Sequence, residues 1–150
     1  MYWAATYFTQ KLANGKPVTV GLPLPDPRPD FRTIKLRTPG AAAYVDVTAE
    51  AGDEGVIYDG YRNTSTNPGN VGANDLTYVC YADLTQEFKD LKKAGASING
   101  TYTVANVRSA TGNSDSPGIS NGWTLVIIYE DPALPERYFS TRHGFLAVSY

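Results

Sequence analysis

The chain carries one histidine, His143, and one cysteine, Cys80. Together they are its single opportunity for thiol–imidazole chemistry. A catalytic thiol needs exposure and a lowered pKa. Cys80 instead lies between Val79 and Tyr81 in a stretch that reads as the interior of a strand, and Arg142-His143-Gly144 reads as a turn. The expectation is a buried, inert thiol and no dyad. A general base needs a nucleophile within reach, and a metal site of the zinc type needs several N or S ligands. One His and one Cys supply neither, so no catalytic or cofactor-binding residue is assigned.

The densest carboxylates are Glu130, Asp131 and Glu136. A glycosidase pair is conceivable there, but Pro132 and Pro135 make a turn at a strand end the simpler reading. Loop carboxylates and carbonyls also suit a hard cation, so the three form a weak candidate cluster for calcium. Calcium is the one cofactor left open. Asp75 stands alone, and Asn113 with Asp115 does not extend into the ligand spacing of an EF-hand. No phosphate loop, nucleophile elbow or metal-ligand motif is present.

The aromatic side chains say more. The chain has 11 tyrosines and 2 tryptophans. Large, stiff, amphipathic rings serve in interfaces and stack on sugars. Trp123 reads as core. Tyr58 and Tyr61, beside a long Asn- and Gly-rich loop, are the candidate ligand contacts. Asn63-Thr64-Ser65 and Asn99-Gly100-Thr101 match the glycosylation sequon, a pattern that matters only in a glycosylating pathway.

Length and charge bound the rest. A chain of 150 residues is read as one domain, residues 1–150, able to bury a core without disulfides. With 13 basic and 15 acidic residues there is no basic block to neutralise a phosphate backbone, which disfavours nucleic acid. No apolar run reaches the length of a membrane span. The start, Met1-Tyr2-Trp3-Ala4-Ala5, lacks the features of a signal peptide and reads as a strand entered abruptly, as in a fragment or module of a larger protein. A single cysteine excludes an intrachain disulfide and leaves the redox compartment open.

The elements that must position these residues are mostly strands. Tyr2 to Phe8, Val18 to Val20, Phe31 to Arg37, Tyr44 to Val47, Gly55 to Tyr58, Tyr78 to Tyr81, Thr101 to Val107, Tyr138 to Thr141 and Phe145 to Tyr150 are short strand candidates. Ile34 and Leu36 alternate with Thr33, Lys35 and Arg37, so one face of that strand is wet. Pro23, Pro25, Pro27 and Pro29 make a stiff surface connection, and Asp59 to Asp75 is a long loop. The run from Trp123 to Glu130 is apolar on both faces and reads as a central strand covered on both sides.

One helix is expected, from Asp83 to Lys93. Leu84, Phe88 and Leu91 form its stripe, Asp83 caps it with Gln86 reaching back, and Gly95 supplies the left-handed stop. The fold class is all-β, an antiparallel β-sandwich with one short helix.

Three blocks resemble a known family. They are Tyr81-Ala82-Asp83-Leu84-Thr85, Asn99 to Val107, and Gly122-Trp123-Thr124-Leu125-Val126-Ile127-Ile128-Tyr129-Glu130-Asp131-Pro132. Together with Tyr2-Trp3-Ala4 and Lys35 to Gly40, they are similar to a β-sandwich domain of large secreted and cell-surface bacterial proteins, including Bacteroidetes exoproteins of the gliding-motility and adhesin type. The resemblance spans most of the chain. It brings no catalytic residues and implies an extracellular or bacterial cell-surface location. The family pattern commonly ends in Asp-Gly-Phe, where this chain has His143-Gly144-Phe145. It also usually has a strand before the Tyr-Trp block.

The expected function is therefore a non-enzymatic surface module, adhesive or structural, in a larger assembly. A carbohydrate-binding module using exposed aromatics is the alternative, and a hydrolase with an unrecognised site is the third. The expected partners are neighbouring domains or subunits, by strand addition along an open edge at Tyr2 to Phe8, and glycans.

Overall fold

The computed structural model describes residues 1–13, 16–20, 30–59, 75–109 and 121–143. The first sheet contains β1 (Tyr2–Ala13), β2 (Lys16–Val20), β5 (Val56–Asp59), β6 (Asp75–Tyr81) and β8 (Asn121–Thr124). The second contains β3 (Thr33–Arg37), β4 (Val45–Thr48) and β7 (Thr103–Ala105). Every pairing is antiparallel. Two helices accompany them among the described residues: the single turn α1 (Gly52–Gly55) and the longer α2 (Thr85–Lys93). The chain is all-β, with two antiparallel sheets and little helix, as expected from the sequence.

The second sheet follows the alternation closely. Ile34 and Leu36 of β3 are buried, and Thr33, Lys35 and Arg37 between them are not. On the wetter face, polar side chains meet directly across the β3–β4 ladder. Lys35 faces Asp46 with Nζ 2.7 Å from Oδ1, and the hydroxyls of Thr33 and Thr48 lie 3.1 Å apart. Such cross-strand pairs fix register at modest energy. After β3 the chain turns at Gly40, whose φ of 75° lies in the left-handed region, and the Ala41 amide donates to the Thr38 carbonyl at 3.1 Å.

The inward faces of the two sheets share one core. Trp3, Ala5, Tyr78 and Cys80 come from the first sheet and Ile34, Leu36 and Val47 from the second, with Phe31 among them. Buried polar atoms there are paired. Trp3 Nε1 donates to the Phe31 carbonyl at 3.0 Å, and the Tyr78 hydroxyl donates to the Arg108 carbonyl at 2.7 Å. The rings of Phe31 and Tyr78 meet at 4.7 Å between centroids.

The helix α2 begins after Leu84, which is its N-cap and makes no side-chain cap bond, so the cap expected at Asp83 is corrected to a turn just before the helix. Asp83 Oδ1 accepts from the Thr85 amide at 2.8 Å and from the Thr85 hydroxyl. The expected reciprocal contact from Gln86 is not made; its Nε2 donates to Asp90 Oδ1 at 3.0 Å instead. The other end is the stop expected at Gly95. The Ala96 amide bonds to the Leu91 carbonyl, the Gly95 amide bonds to the Lys92 carbonyl, and Gly95 has φ 78°, which is a Schellman cap. No residue of α2 is fully buried. Leu84 and Tyr102 rest half-exposed against the core, and Phe88 stacks on Tyr102.

Asp83→Ala is expected to lower stability by about 0.5–1.5 kcal/mol through its lost hydrogen bonds to Thr85, toward the lower figure because the carboxylate is exposed. The Thr85 hydroxyl and amide hold its pKa below the usual value, helped less by the Met1 amino group and Lys89 and opposed by partial desolvation. A carboxyl with a lowered folded pKa adds stability above its unfolded pKa, near 4. That increment fades as pH falls from there through the folded value. The gap in urea midpoint between the parent and Asp83→Ala should be present at neutral pH and shrink in strong acid. A gap that grows in acid would contradict the assignment.

The sequence placed the strand from Trp123 to Glu130 at the centre, and the structure corrects this. Only Asn121–Thr124 forms β8. It lies on the same side of β1 as β2, pairing Tyr2 with Thr124, Trp3 with Trp123, Ala4 with Gly122 and Ala5 with Asn121. β8 has no second strand beside it among the described residues. Trp123 is 40% exposed, while Trp3 opposite it is 1% exposed. The ladder ends where Thr124 meets Tyr2, and Leu125 to Glu130 form no strand.

The open edge expected at Tyr2 to Phe8 is likewise corrected. β1 pairs with β6 along one side, and with β8 and β2 along the other. Tyr138 to Thr141 is exposed and forms no strand. The proline-rich stretch at 23–29 and the strand expected at Phe145 to Tyr150 lie outside the described residues.

Candidate functional site

Alternation along β1 and β6 decides which side chains leave the core together. Trp3 and Cys80 point inward, so their neighbours Tyr2 and Tyr81 point outward. The register sets Tyr2 directly opposite Tyr81, and their ring centroids lie 5.0 Å apart. His143, far along the chain, closes the group. Its ring stacks on Tyr81 at 5.2 Å, and its Nδ1 is 3.1 Å from the Tyr2 hydroxyl. A patch of three rings thus forms on the outer face, near the start of β1.

Acidic groups surround the patch. The Glu50 amide donates to the Tyr81 carbonyl at 3.0 Å, and Glu50 Oε1 accepts from the Asp83 amide at 3.0 Å. Burial pushes the Tyr81 phenol above its ordinary pKa, and Asp83, Tyr2 and Glu50 push the same way. At neutral pH Tyr81 stays protonated, a donor and an aromatic surface but not a base. The Met1 amino group donates to the Ala82 carbonyl at 2.7 Å, and burial lowers its pKa against the opposing pull of Asp83.

A groove of about 710 Å³ runs from this patch between α2 and the segment after β8. Tyr2, Tyr81, Phe88, Ile127 and Tyr129 give it apolar and aromatic walls, and Asp83, Lys89 and Glu130 give it charge. Its size is that of a small-ligand cleft. Beyond it Val126, Ile128, Tyr129, Leu134 and Phe139 are each at least half exposed.

Of the contacts and carboxylates singled out from the sequence, Glu130 lines this groove, and Tyr58, Asp131 and Glu136 do not. Tyr58 sits half-buried in β5, opposite Val79 of β6. Tyr61 lies outside the described residues. Glu130 and Asp131 follow the exposed segment, and Asp131 makes a turn, accepting from the Ala133 amide at 2.9 Å through Oδ1 and from the Leu134 amide through its carbonyl. Among the described residues no three His, Cys, Asp or Glu side chains converge as they would around a metal ion, Glu130, Asp131 and Glu136 included. Among them, too, no helix is long and apolar enough to cross a membrane.

Cys80 and His143 belong to opposite faces of the first sheet. Cys80 is fully buried in the core, and His143 packs on the outward ring of its neighbour Tyr81. Native protein should therefore react with a thiol reagent at least about a hundredfold more slowly than unfolded protein, and His143→Ala should leave that rate unchanged. Fast labelling of the folded chain that disappears in His143→Ala would contradict this placement.

The sequence held one usable sign of the patch, the polar-faced tyrosines flanking Trp3 and Cys80. It held no sign of His143, which only tertiary folding brings there. Compared with known proteins, the chain matches no family model, no curated protein and no solved structure.

Proposed function

We propose that the chain is a non-enzymatic interaction module, adhesive or structural, working in a larger extracellular or bacterial cell-surface assembly. The observation that carries this reading is the exposed apolar stretch that follows β8. Val126, Ile127, Ile128 and Tyr129 are 50%, 42%, 55% and 72% exposed. Consecutive exposed apolar side chains of this size mark surfaces that meet another macromolecule. The tyrosines suit such a contact, because they bury much area with few rotors to freeze.

The test is a photo-crosslinking residue at Tyr129, with one at Tyr44 as control, in the chain produced in the cells that make it. Tyr129 should give discrete crosslinked species that Tyr44 does not. Equal or absent products at both positions would count against the reading.

A second reading, glycan binding, is favoured by the groove itself, where Tyr2, Tyr81 and Tyr129 stand beside Asp83 and Glu130. Aromatic faces with adjacent carboxylates recognise sugar C–H faces and hydroxyls. A glycan array decides it. Binding to a defined glycan, lost in Tyr129→Ala, would move the function to carbohydrate recognition.

A further inference from the structure

The helix α2 is a ridge between two grooves, and its flanks differ in sign. Leu84, Phe88 and Leu91, three or four residues apart, make its apolar stripe. Lys89 and Lys92 run along one flank and line the groove beside the ring patch. Glu87 and Asp90 run along the other flank and line a second groove, of about 650 Å³, between α2 and the strands β3 and β4.

The floor of this second groove is an open extension of the core. Leu36 and Val45 stand directly opposite each other on the β3–β4 ladder and so share one face of the sheet. It is the face that carries Ile34 and Leu36 inward. Leu36 is 3% exposed, yet Val45 is 58% exposed. The inward face of the second sheet thus continues past the core into the groove, and the stripe of α2 forms the facing wall.

The rim is acidic. Glu50, Asp83, Glu87 and Asp90 all line the groove, and among the described residues no lysine or arginine does. The nearby bases are engaged elsewhere. Lys35 holds Asp46 on the wetter face, and Arg32 donates to the Glu50 carbonyl. Lys89 and the Met1 amino group act on Asp83 from the groove on the other side of the ridge. The hydrogen-bond donors to Glu50 and Asp90 are neutral, the Asp83 amide and the Gln86 side chain.

We propose that this second groove takes a peptide segment of another protein, one that sets Lys or Arg beside apolar side chains. The apolar side chains cover Val45 and the stripe of α2, and the bases meet Glu50, Glu87 and Asp90 at the rim. This surface is separate from the exposed stretch after β8 and goes beyond the interaction proposed for that stretch.

Charge complementarity selects the occupant. Two copies of the chain meeting groove to groove would oppose like charges. The stretches of this chain outside the described residues hold two bases between them, Arg28 and Arg62, in separate stretches. A metal ion fits poorly, because the floor is apolar and among the described residues no three carboxylates converge.

The probe is a short fluorescent peptide of alternating Lys and Leu, titrated against the full chain. It should bind with a dissociation constant between about 1 µM and 1 mM, and more weakly as salt is raised. Replacing its Lys with Glu, or its Leu with Ser, should each weaken binding at least about tenfold. In the chain, Glu87→Lys with Asp90→Lys should do the same. Both sites are exposed, so the circular dichroism spectrum should not move. Glu130→Lys with Glu136→Lys makes an equal change in net charge outside the groove and should alter binding by less than about twofold. In heteronuclear NMR spectra the peptide should shift the amides of β4 and α2 and leave those of β8 in place. That readout needs no substitution, so it holds if a variant fails to fold.

Equal binding of the Lys and Glu peptides, equal losses in the two charge-reversed chains, or shifts confined to other elements would overturn the inference. So would no binding up to about 1 mM, the result expected if a stretch of the chain itself fills the groove. Self-association abolished by Glu87→Lys with Asp90→Lys would assign the groove to a second copy and overturn it too. The crosslinker at Tyr129 reads a different surface, so either inference can fail while the other stands.

Discussion

Replacing Trp3 with alanine is expected to destabilise the protein by about 3–5 kcal/mol, the usual cost of removing a fully buried large aromatic ring. Two losses combine. The ring leaves a cavity between the sheets, and the Phe31 carbonyl loses the indole donor that satisfies it at 3.0 Å. Trp3→Phe should cost clearly less, because it keeps much of the volume and loses chiefly the hydrogen bond. Trp123 offers an internal comparison. It faces Trp3 across the β1–β8 ladder but is 40% exposed, so Trp123→Ala should cost about 1 kcal/mol. Urea unfolding with an unchanged m-value gives all three numbers. If Trp123→Ala proves the more damaging of the two alanine variants, β8 belongs to the core and its placement at the rim is wrong.

The second large effect lies in the other sheet. Ile34 has no exposed surface and faces Val47 across the β3–β4 ladder. Ile34→Ala should cost about 2–5 kcal/mol, and Ile34→Val about 0.5–1.5 kcal/mol. Ile34 and Trp3 come from different sheets but share one core. Ile34→Ala should therefore lower the unfolding midpoint seen by tryptophan fluorescence and by backbone circular dichroism equally. A fluorescence midpoint that stays in place while the circular dichroism midpoint falls would mean that the sheets unfold separately.

Much of this architecture was legible in the residues because its causes are local. The period of two in Thr33-Ile34-Lys35-Leu36-Arg37 states which side chains are buried, and the structure buries Ile34 and Leu36. Gly95 announces the end of α2 because a left-handed residue is needed there and glycine adopts it without strain. The turn at Thr38-Pro39-Gly40 is of the same kind. In each case the determining atoms lie within a few residues of one another.

The sequence misjudged what depends on neighbours far along the chain. Trp123 to Glu130 has the composition of a central strand, yet composition records only that a strand is favourable. Whether it is central depends on how many strands lie beside it, and among the described residues β8 pairs with β1 alone, from Asn121 to Thr124. The supposed open edge of β1 closed for the same reason in reverse, since β6, β8 and β2 occupy both of its sides. Gln86 was expected to reach the helix start but found Asp90 one turn on, a competing partner on the same helix.

The candidate site divides along the same line. The sequence by itself determined that the chain carries one thiol, one imidazole and 11 tyrosines, because residue types do not change on folding. It also determined that Tyr81 adjoins a cysteine in the interior of a strand. Only the tertiary structure decided that the rings of Tyr2 and Tyr81 face each other, that His143 stacks on them, and that Glu130, Asp131 and Glu136 do not converge. Register and long-range approach are set by the pairing of whole strands, a global balance of burial and hydrogen bonding that no short stretch of residues encodes.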